Sequence, residues 1–180
     1  MTDTTDLLEG IGGEAAARLD DAVDLRRRIH RHPELGLDLP VTQATVLEAL
    51  DGLPVTTTTG TATSSVIAVL DGDEPGPTVL LRGDMDALPM PEDTDLDFAS
   101  EVDGAMHACG HDAHVAMLAG AASLLASRRG SLAGRVVFMF QPGEEGFGGA
   151  KVMLDEGLLD VAADGAEPVS LGFAIHQSPT

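Results

Sequence analysis

A chain of 180 residues of which 43% are apolar can enclose one substantial core, and its length favours a single domain. Ten basic against thirty acidic residues give a formal charge of −20, which argues against nucleic acid or an anionic membrane as a partner. One cysteine excludes an internal disulfide. The acids are interleaved with apolar runs, unlike a disordered tail, and with nine arginines and one lysine the composition resembles that of proteins from salt-loving organisms. No basic-then-apolar leader opens the chain and no run is long enough to span a bilayer, so the cytoplasm is the expected location.

In chain order, residues 1–13 are polar and glycine-containing and are expected to precede the folded unit, 14–180. Glu14 to His32 reads as one amphipathic helix with Ala17, Leu19, Val23, Leu25 and Ile29 on its apolar face, ended by Pro33. Arg26, Arg27, Arg28 and Arg31 suit the negative end of its dipole better than they suit an anion site. His30 and His32 read as capping or packing groups outside any metal site. A second helix is expected over 41–50, then a Thr-rich stretch, 56–65, and strands at 66–70 and 78–84. Asp71 to Pro77 reads as the turn between paired strands. An acidic loop, 90–105, leads to a helix from Asp112 to Arg128 with Val115, Leu118, Ala122 and Leu125 on one face. A strand at 135–140, a short helix near 150–157 capped by Gly157, and an apolar run from Val169 to Ile175 follow.

The chemistry gathers at Met106-His107-Ala108-Cys109-Gly110-His111-Asp112-Ala113-His114, which holds three of the six histidines and the only cysteine. A thiolate and an imidazole two residues apart can bind a borderline-soft divalent ion such as zinc. Taken alone, the segment fits a buried structural cysteine beside a helix-capping Asp112 equally well. Its context favours the metal. The run 78–81 leads into Arg82-Gly83-Asp84-Met85-Asp86-Ala87-Leu88-Pro89, the run 135–140 into Gln141-Pro142-Gly143-Glu144-Glu145-Gly146, and the last run into His176. Strands ending in Asp, Glu-Glu and His, with a Cys/His turn entering a helix, imply a site at the carboxyl edge of an open α/β sheet. The expected fold is a mixed, largely parallel sheet with helices on both faces.

These segments, together with Arg27-Arg28-Ile29-His30-Arg31-His32-Pro33-Glu34-Leu35-Gly36, closely resemble in order and spacing the metal-dependent amidohydrolases that include hippurate hydrolase, N-acyl-amino-acid amidohydrolase and the plant auxin-conjugate hydrolases, a branch of the aminoacylase and carboxypeptidase-type metallopeptidases. The resemblance implies a zinc-exopeptidase-like catalytic domain with two divalent ions, zinc or manganese. It carries the metal ligands onto Cys109, His111, Glu145 and His176, the general base onto Glu144, and a carboxylate that supports a ligand from behind onto Asp86. Asp84 is a weaker candidate for support, and His107 and His114 read as packing or supporting groups. The implied reaction is hydrolysis of the amide of a small N-acyl amino acid. A thiol hydrolase using Cys109 as nucleophile competes, but leaves Glu144, Glu145 and His176 without a role.

Members of that family continue past the equivalent of His176 into a lid and dimerisation domain, then return to the catalytic domain with a further histidine. The resemblance thus implies that these residues form the N-terminal portion of the catalytic domain, incomplete at the C-terminus and lacking the lid. Impaired activity is then expected, with a homodimer in the full-length family or a complementing C-terminal chain. A catalytically inactive metal-binding remnant is the alternative. Gln177-Ser178, where an aromatic is common, and Leu39-Pro40, where an acid is usual, depart from the pattern.

Overall fold

A computed structural model describes residues 10–162 and 166–177. Its centre is β4 (Ala133–Gln141), whose unbroken apolar run is buried on both faces, as the middle strand of a covered sheet requires. The five strands lie in the order β1-β2-β4-β3-β5, with β1 (Thr56–Thr59), β2 (Val66–Asp71), β3 (Glu74–Asp84) and β5 (Val169–Ala174). The sheet is mixed, as expected. β2 runs antiparallel to both its neighbours, and β3 runs parallel to β4 and β5.

Alternation along the strands divides the core. Val136, Phe138 and Phe140 of β4 join Val66, Ala68 and Leu70 of β2 on one face, covered by Leu25 and Ile29 of α2 (Leu19–Arg31), Val46 and Leu50 of α3 (Pro40–Leu50), and Val115, Leu118 and Ala122 of α4 (His111–Ser127). On the other face Val137 and Met139 pack with Met153 of α5 (Gly149–Asp155) and with Leu158. Helices therefore cover both faces. The first strand, four exposed threonines at the sheet's edge, lies inside the stretch read only as Thr-rich. Glu34 caps α3 from outside, its carboxylate accepting the N–H groups of Val41 (3.1 Å) and Thr42 (2.8 Å). Among the described residues no helix is long and apolar enough to cross a membrane.

Two expectations are corrected. The helix read from Glu14 to His32 is two helices, α1 (Ile11–Ala16) and α2, separated at Ala17-Arg18. Arg18 reaches Ser123 (3.3 Å) and Ser127 (3.1 Å), and Glu14 pairs with Arg128 (2.8 Å); these anchors hold α1 and the joint against the end of α4. Secondly, β2 and β3 do not pair with each other, because the doubly apolar β4 lies between them. Their connection instead crosses the start of β4, where Gly72 N–H donates to Gly134 O at 2.8 Å. The crossing needs glycine: a Cβ on Gly72 would lie 2.1 Å from Leu132 O, and Gly134 has φ 99° with Pro77 O 2.1 Å from where its Cβ would be.

Because β3, β4 and β5 are parallel, their carboxyl ends meet at one edge, and the N-terminus of α4 arrives there too.

Gly134→Ala should destabilise the chain by about 1–3 kcal/mol, since it adds both a left-handed non-glycine backbone and a clash. Gly120→Ala should raise stability by roughly 0.5–1 kcal/mol, because Gly120 lies inside α4 with nothing within 4 Å of the added methyl. Denaturant unfolding of both variants checks the pair; equal destabilisation would show that the crossing imposes no special demand.

Candidate metal centre

The last residues of β3 set the frame. Asp84 is fully buried, its Oδ1 accepting His114 Nδ1–H at 2.5 Å and its Oδ2 lying 2.5 Å from Arg82 Nη1. Arg82 in turn donates from Nε to Gln141 Oε1 across to β4 (2.8 Å). Two residues on, the Asp86 carboxylate accepts the backbone N–H groups of Glu144 (2.9 Å) and Glu145 (3.0 Å). Its backbone carbonyl accepts His111 Nδ1–H at 2.7 Å, while its carboxylate stands 3.5 Å from that nitrogen. The Asp86 carbonyl therefore fixes the His111 tautomer, and the Asp86 carboxylate holds the acidic pair.

With Nδ1 donating, His111 turns a lone pair on Nε2 toward the carboxylates. That nitrogen is 3.7 Å from Glu144 Oε2 and 3.8 Å from Glu145 Oε1. His111 Nε2 and Glu145 Oε1 are both buried without a hydrogen-bond partner among the described residues. Two acceptors facing each other cannot satisfy one another; a proton or a cation between them can. Ligand atoms of Cys109, His111 and Glu145 all lie within 4.8 Å of one another, as do those of Asp84, His111, His114 and His176. Two groups able to hold a metal ion thus share His111.

The structure brings every sequence-predicted site residue to this edge. His176, exposed at the end of β5, has its ring 5.5 Å from that of His111, and its Nδ1 donates to Gln177 O (2.6 Å), leaving Nε2 to offer a lone pair. His114 is used at both nitrogens, since Nε2 accepts Gln177 N–H at 3.1 Å. The contribution of Asp84 was only faintly legible; its period-two spacing from Asp86 was the available signal.

The electrostatics favour a cation over a nucleophile. The Glu145 carboxylate beside it, burial, and the charges of Glu144 and Asp84 push the Cys109 thiol up to about 11. A nucleophilic cysteine needs the opposite shift, so the surroundings oppose the thiol-hydrolase reading. Burial pulls His111 down, but its hydrogen bond to Asp86 and the nearby charge of Asp84 outweigh this and raise it. Burial likewise raises Asp86, against the stronger combined effect of His111 and the Glu145 and Glu144 N–H groups, which leaves it lowered.

Beside the centre lies a second polar group. Asp112 is the second residue of α4, which Gly110 precedes with no side-chain cap, so Asp112 is not the helix-capping residue that the segment taken alone allowed. Its Oδ2 accepts His30 Nδ1–H (2.8 Å) and Arg26 Nε–H (2.9 Å). His30 is held above its ordinary value by the Asp112 hydrogen bond, against burial and with help from Glu92. His107 is buried with neither ring nitrogen partnered among the described residues, and burial lowers it to about 4. His32 ends α2 and is exposed.

A cation-ready cluster of cysteine, histidine and glutamate at the carboxyl edge of a mixed α/β sheet is the class of site that the fold defines. Residues 80–180 match the model of peptidase family M20/M25/M40, and the chain belongs to that family. It is 44% identical to thermostable carboxypeptidase 1 of Saccharolobus solfataricus over 96% of its length and 43% of that protein's, and 41% identical to N-acetylcysteine deacetylase of Bacillus subtilis over 87% of its length and 40% of that protein's. The crystal structure of Bacillus subtilis YXEP protein, a dinuclear metal binding peptidase from the M20 family, superposes with a TM-score of 0.83 at 40% identity, covering 91% of this chain and 44% of that one. The chain thus spans about two fifths of the length of these relatives.

The His30 pair sets a pH dependence of stability. A histidine raised above about 6.5 contributes stability fully present below that pH and lost as pH rises through the folded value. The stability gap between wild type and His30→Gln should therefore be widest in mild acid and narrow through neutral into alkaline pH. Asp112, held low by His30, His107 and Arg26 against burial, contributes instead above its ordinary 3.8 and loses its effect only as pH falls through its folded value. Denaturant midpoints between pH 5 and 9 test this, and a gap that widens with pH contradicts it.

Proposed function

We propose that this chain carries the metal centre of an amidohydrolase acting on small N-acyl amino acids, with Cys109, His111, Glu145 and His176 as ligands to zinc or manganese and Glu144 as general base. The observation that carries the reading is the facing pair of acceptors, His111 Nε2 and Glu145 Oε1, unpartnered among the described residues, 3.8 Å apart and joined by Cys109 within 4.8 Å. The donor set, one thiolate with imidazoles and a carboxylate, suits a borderline-soft divalent ion. Such ions supply charge that offsets the carboxylate field and stabilises negative charge developing on an amide oxygen. Membership of a peptidase family, with a deacetylase among the relatives, supports amide hydrolysis. A lid with its dimer contacts or a complementing chain, a cytoplasmic setting and concentrated salt belong to the same proposal on the strength of the resemblance and the charge of −20.

The adjacent glutamates divide the work by environment. Glu145 is the more buried and faces Cys109, as a ligand would; the Glu144 side chain is 36% exposed, open to water and substrate while 3.7 Å from His111 Nε2. Glu144 takes a proton from water and returns it to the leaving nitrogen. Asp86 keeps the two in register by holding both their N–H groups. His114 stays a supporting group because both its nitrogens are engaged, one by Asp84.

In the active enzyme, Glu144→Ala should lower turnover by about two or more orders of magnitude and leave metal content nearly intact. Glu145→Ala should lower metal content itself. Elemental analysis beside an assay on an N-acyl amino acid separates the two; equal metal loss in both would remove the division between base and ligand, and metal binding with no turnover in wild type would favour the inactive remnant.

A further inference from the structure

We propose that His30, acting through Asp112, is a positioning residue for the Cys109-Gly110-His111 turn, an inference that rests on the metal-binding reading above. Cys109 and His111 flank Gly110, whose φ of 76° makes the turn, and α4 begins there with no side-chain cap. The orientation of the turn must therefore be imposed from outside the helix. The Asp86 carbonyl supplies one tie, to His111. The other comes from α2, where Arg26 and His30, four residues apart on one face, both donate to Oδ2 of Asp112, the residue after His111.

His30 also gathers the loop that leads to the turn. Asp93, Asp95 and Asp97 are exposed, yet the Glu92 side chain is only 3% exposed, with Oε1 3.2 Å from His30 Nε2 and Oε2 accepting Ser100 N–H at 2.7 Å. The buried Phe98 sets its ring edge-on to His30 at 5.3 Å. Asp112 is fully buried, so removing its donors leaves a carboxylate that must seek others or water. Either response moves the first turn of α4, and with it His111 and Cys109. A residue that orients a metal ligand in this way ordinarily changes metal affinity about 10–100-fold.

The two nitrogens of His30 allow the positioning role to be separated from simple packing. A carboxamide in His30→Asn falls near the place of Nδ1 and keeps the donor to Asp112; one in His30→Gln falls near the place of Nε2 and keeps only the contact with Glu92. Zinc affinity of the purified 180-residue chain is measured by competition with a chromogenic chelator, and folding by circular dichroism and denaturant unfolding. Both variants should lose stability, but His30→Asn should stay within about threefold of wild-type affinity while His30→Gln falls about tenfold or more. If either fails to fold, Arg26→Met decides: it removes the other donor to Asp112 at a side chain 38% exposed and should weaken zinc binding, whereas Arg28→Met, which loses only an exposed pair with Glu48, should not. Equal affinities within either pair overturn the positioning role while leaving the metal reading intact. Absence of Cys109-dependent zinc binding in the wild-type chain overturns both.

Discussion

Asp86 joins three separate pieces of the chain with three hydrogen bonds, and the geometry of the edge depends on it. Its carboxylate takes the N–H groups of Glu144 and Glu145 just beyond β4, and its carbonyl takes His111 at the head of α4. None of the three could be aligned by its own element alone. A strand end delivers the glutamates with some latitude, and a glycine turn delivers the histidine with more. Parallel pairing of β3 with β4 puts Asp84 opposite Gln141, so Asp86, just past the end of β3, is in reach of Glu144 and Glu145, just past the end of β4. The sheet register is thus what lets one aspartate serve both partners.

Around that frame the charges are arranged against a nucleophile and in favour of a cation. Glu145, Glu144 and Asp84 raise the thiol of Cys109 and, with Asp86, surround an imidazole whose free nitrogen also offers a lone pair. Arg82 is the one cation at the edge of this group, and it is committed to Asp84 and Gln141 among the described residues. A positive charge brought to Cys109, His111 and Glu145 would reverse the cysteine shift, turning a weak acid into a thiolate ligand.

Much of this was legible because the informative residues are rare types at strand ends. Cysteine and histidine two apart, and paired acids after apolar runs, mark an edge site whatever the details of the sheet. The misreadings come from long-range effects. Local pattern made Asp71 to Pro77 a hairpin turn, and nothing local says that β4, some sixty residues later, enters between β2 and β3. The break at Ala17-Arg18 depends on serines of α4, over a hundred residues away. Asp86 was placed in support of a ligand, but that its carbonyl rather than its carboxylate meets His111 depends on the path of the backbone after β3. His30 reads as an end-of-helix packing group until Asp112 and Glu92 are brought against it.

With no cation between them, the same atoms that define the centre would make it a weak point of the fold. An unpartnered buried acceptor costs about 1–3 kcal/mol, and among the described residues it is a cation or proton that would spare His111 Nε2 and Glu145 Oε1 that cost, with the Asp112 and His107 group close behind. Native chains seldom keep such atoms without a purpose, because replacing them with apolar groups of similar shape would stabilise the core. Here the surrounding structure is rigid where it needs to be: β4 is buried on both faces, α4 is packed along Val115, Leu118 and Ala122, and Asp86 and Asp112 grip the head of that helix from two sides. The fold would therefore carry the cost of facing acceptors without letting them separate, and a cation that satisfies both would recover that cost as binding energy. Preorganisation of this kind converts local instability into affinity, and it requires the residues behind the turn, remote from any substrate, to be as constrained as the ligands themselves.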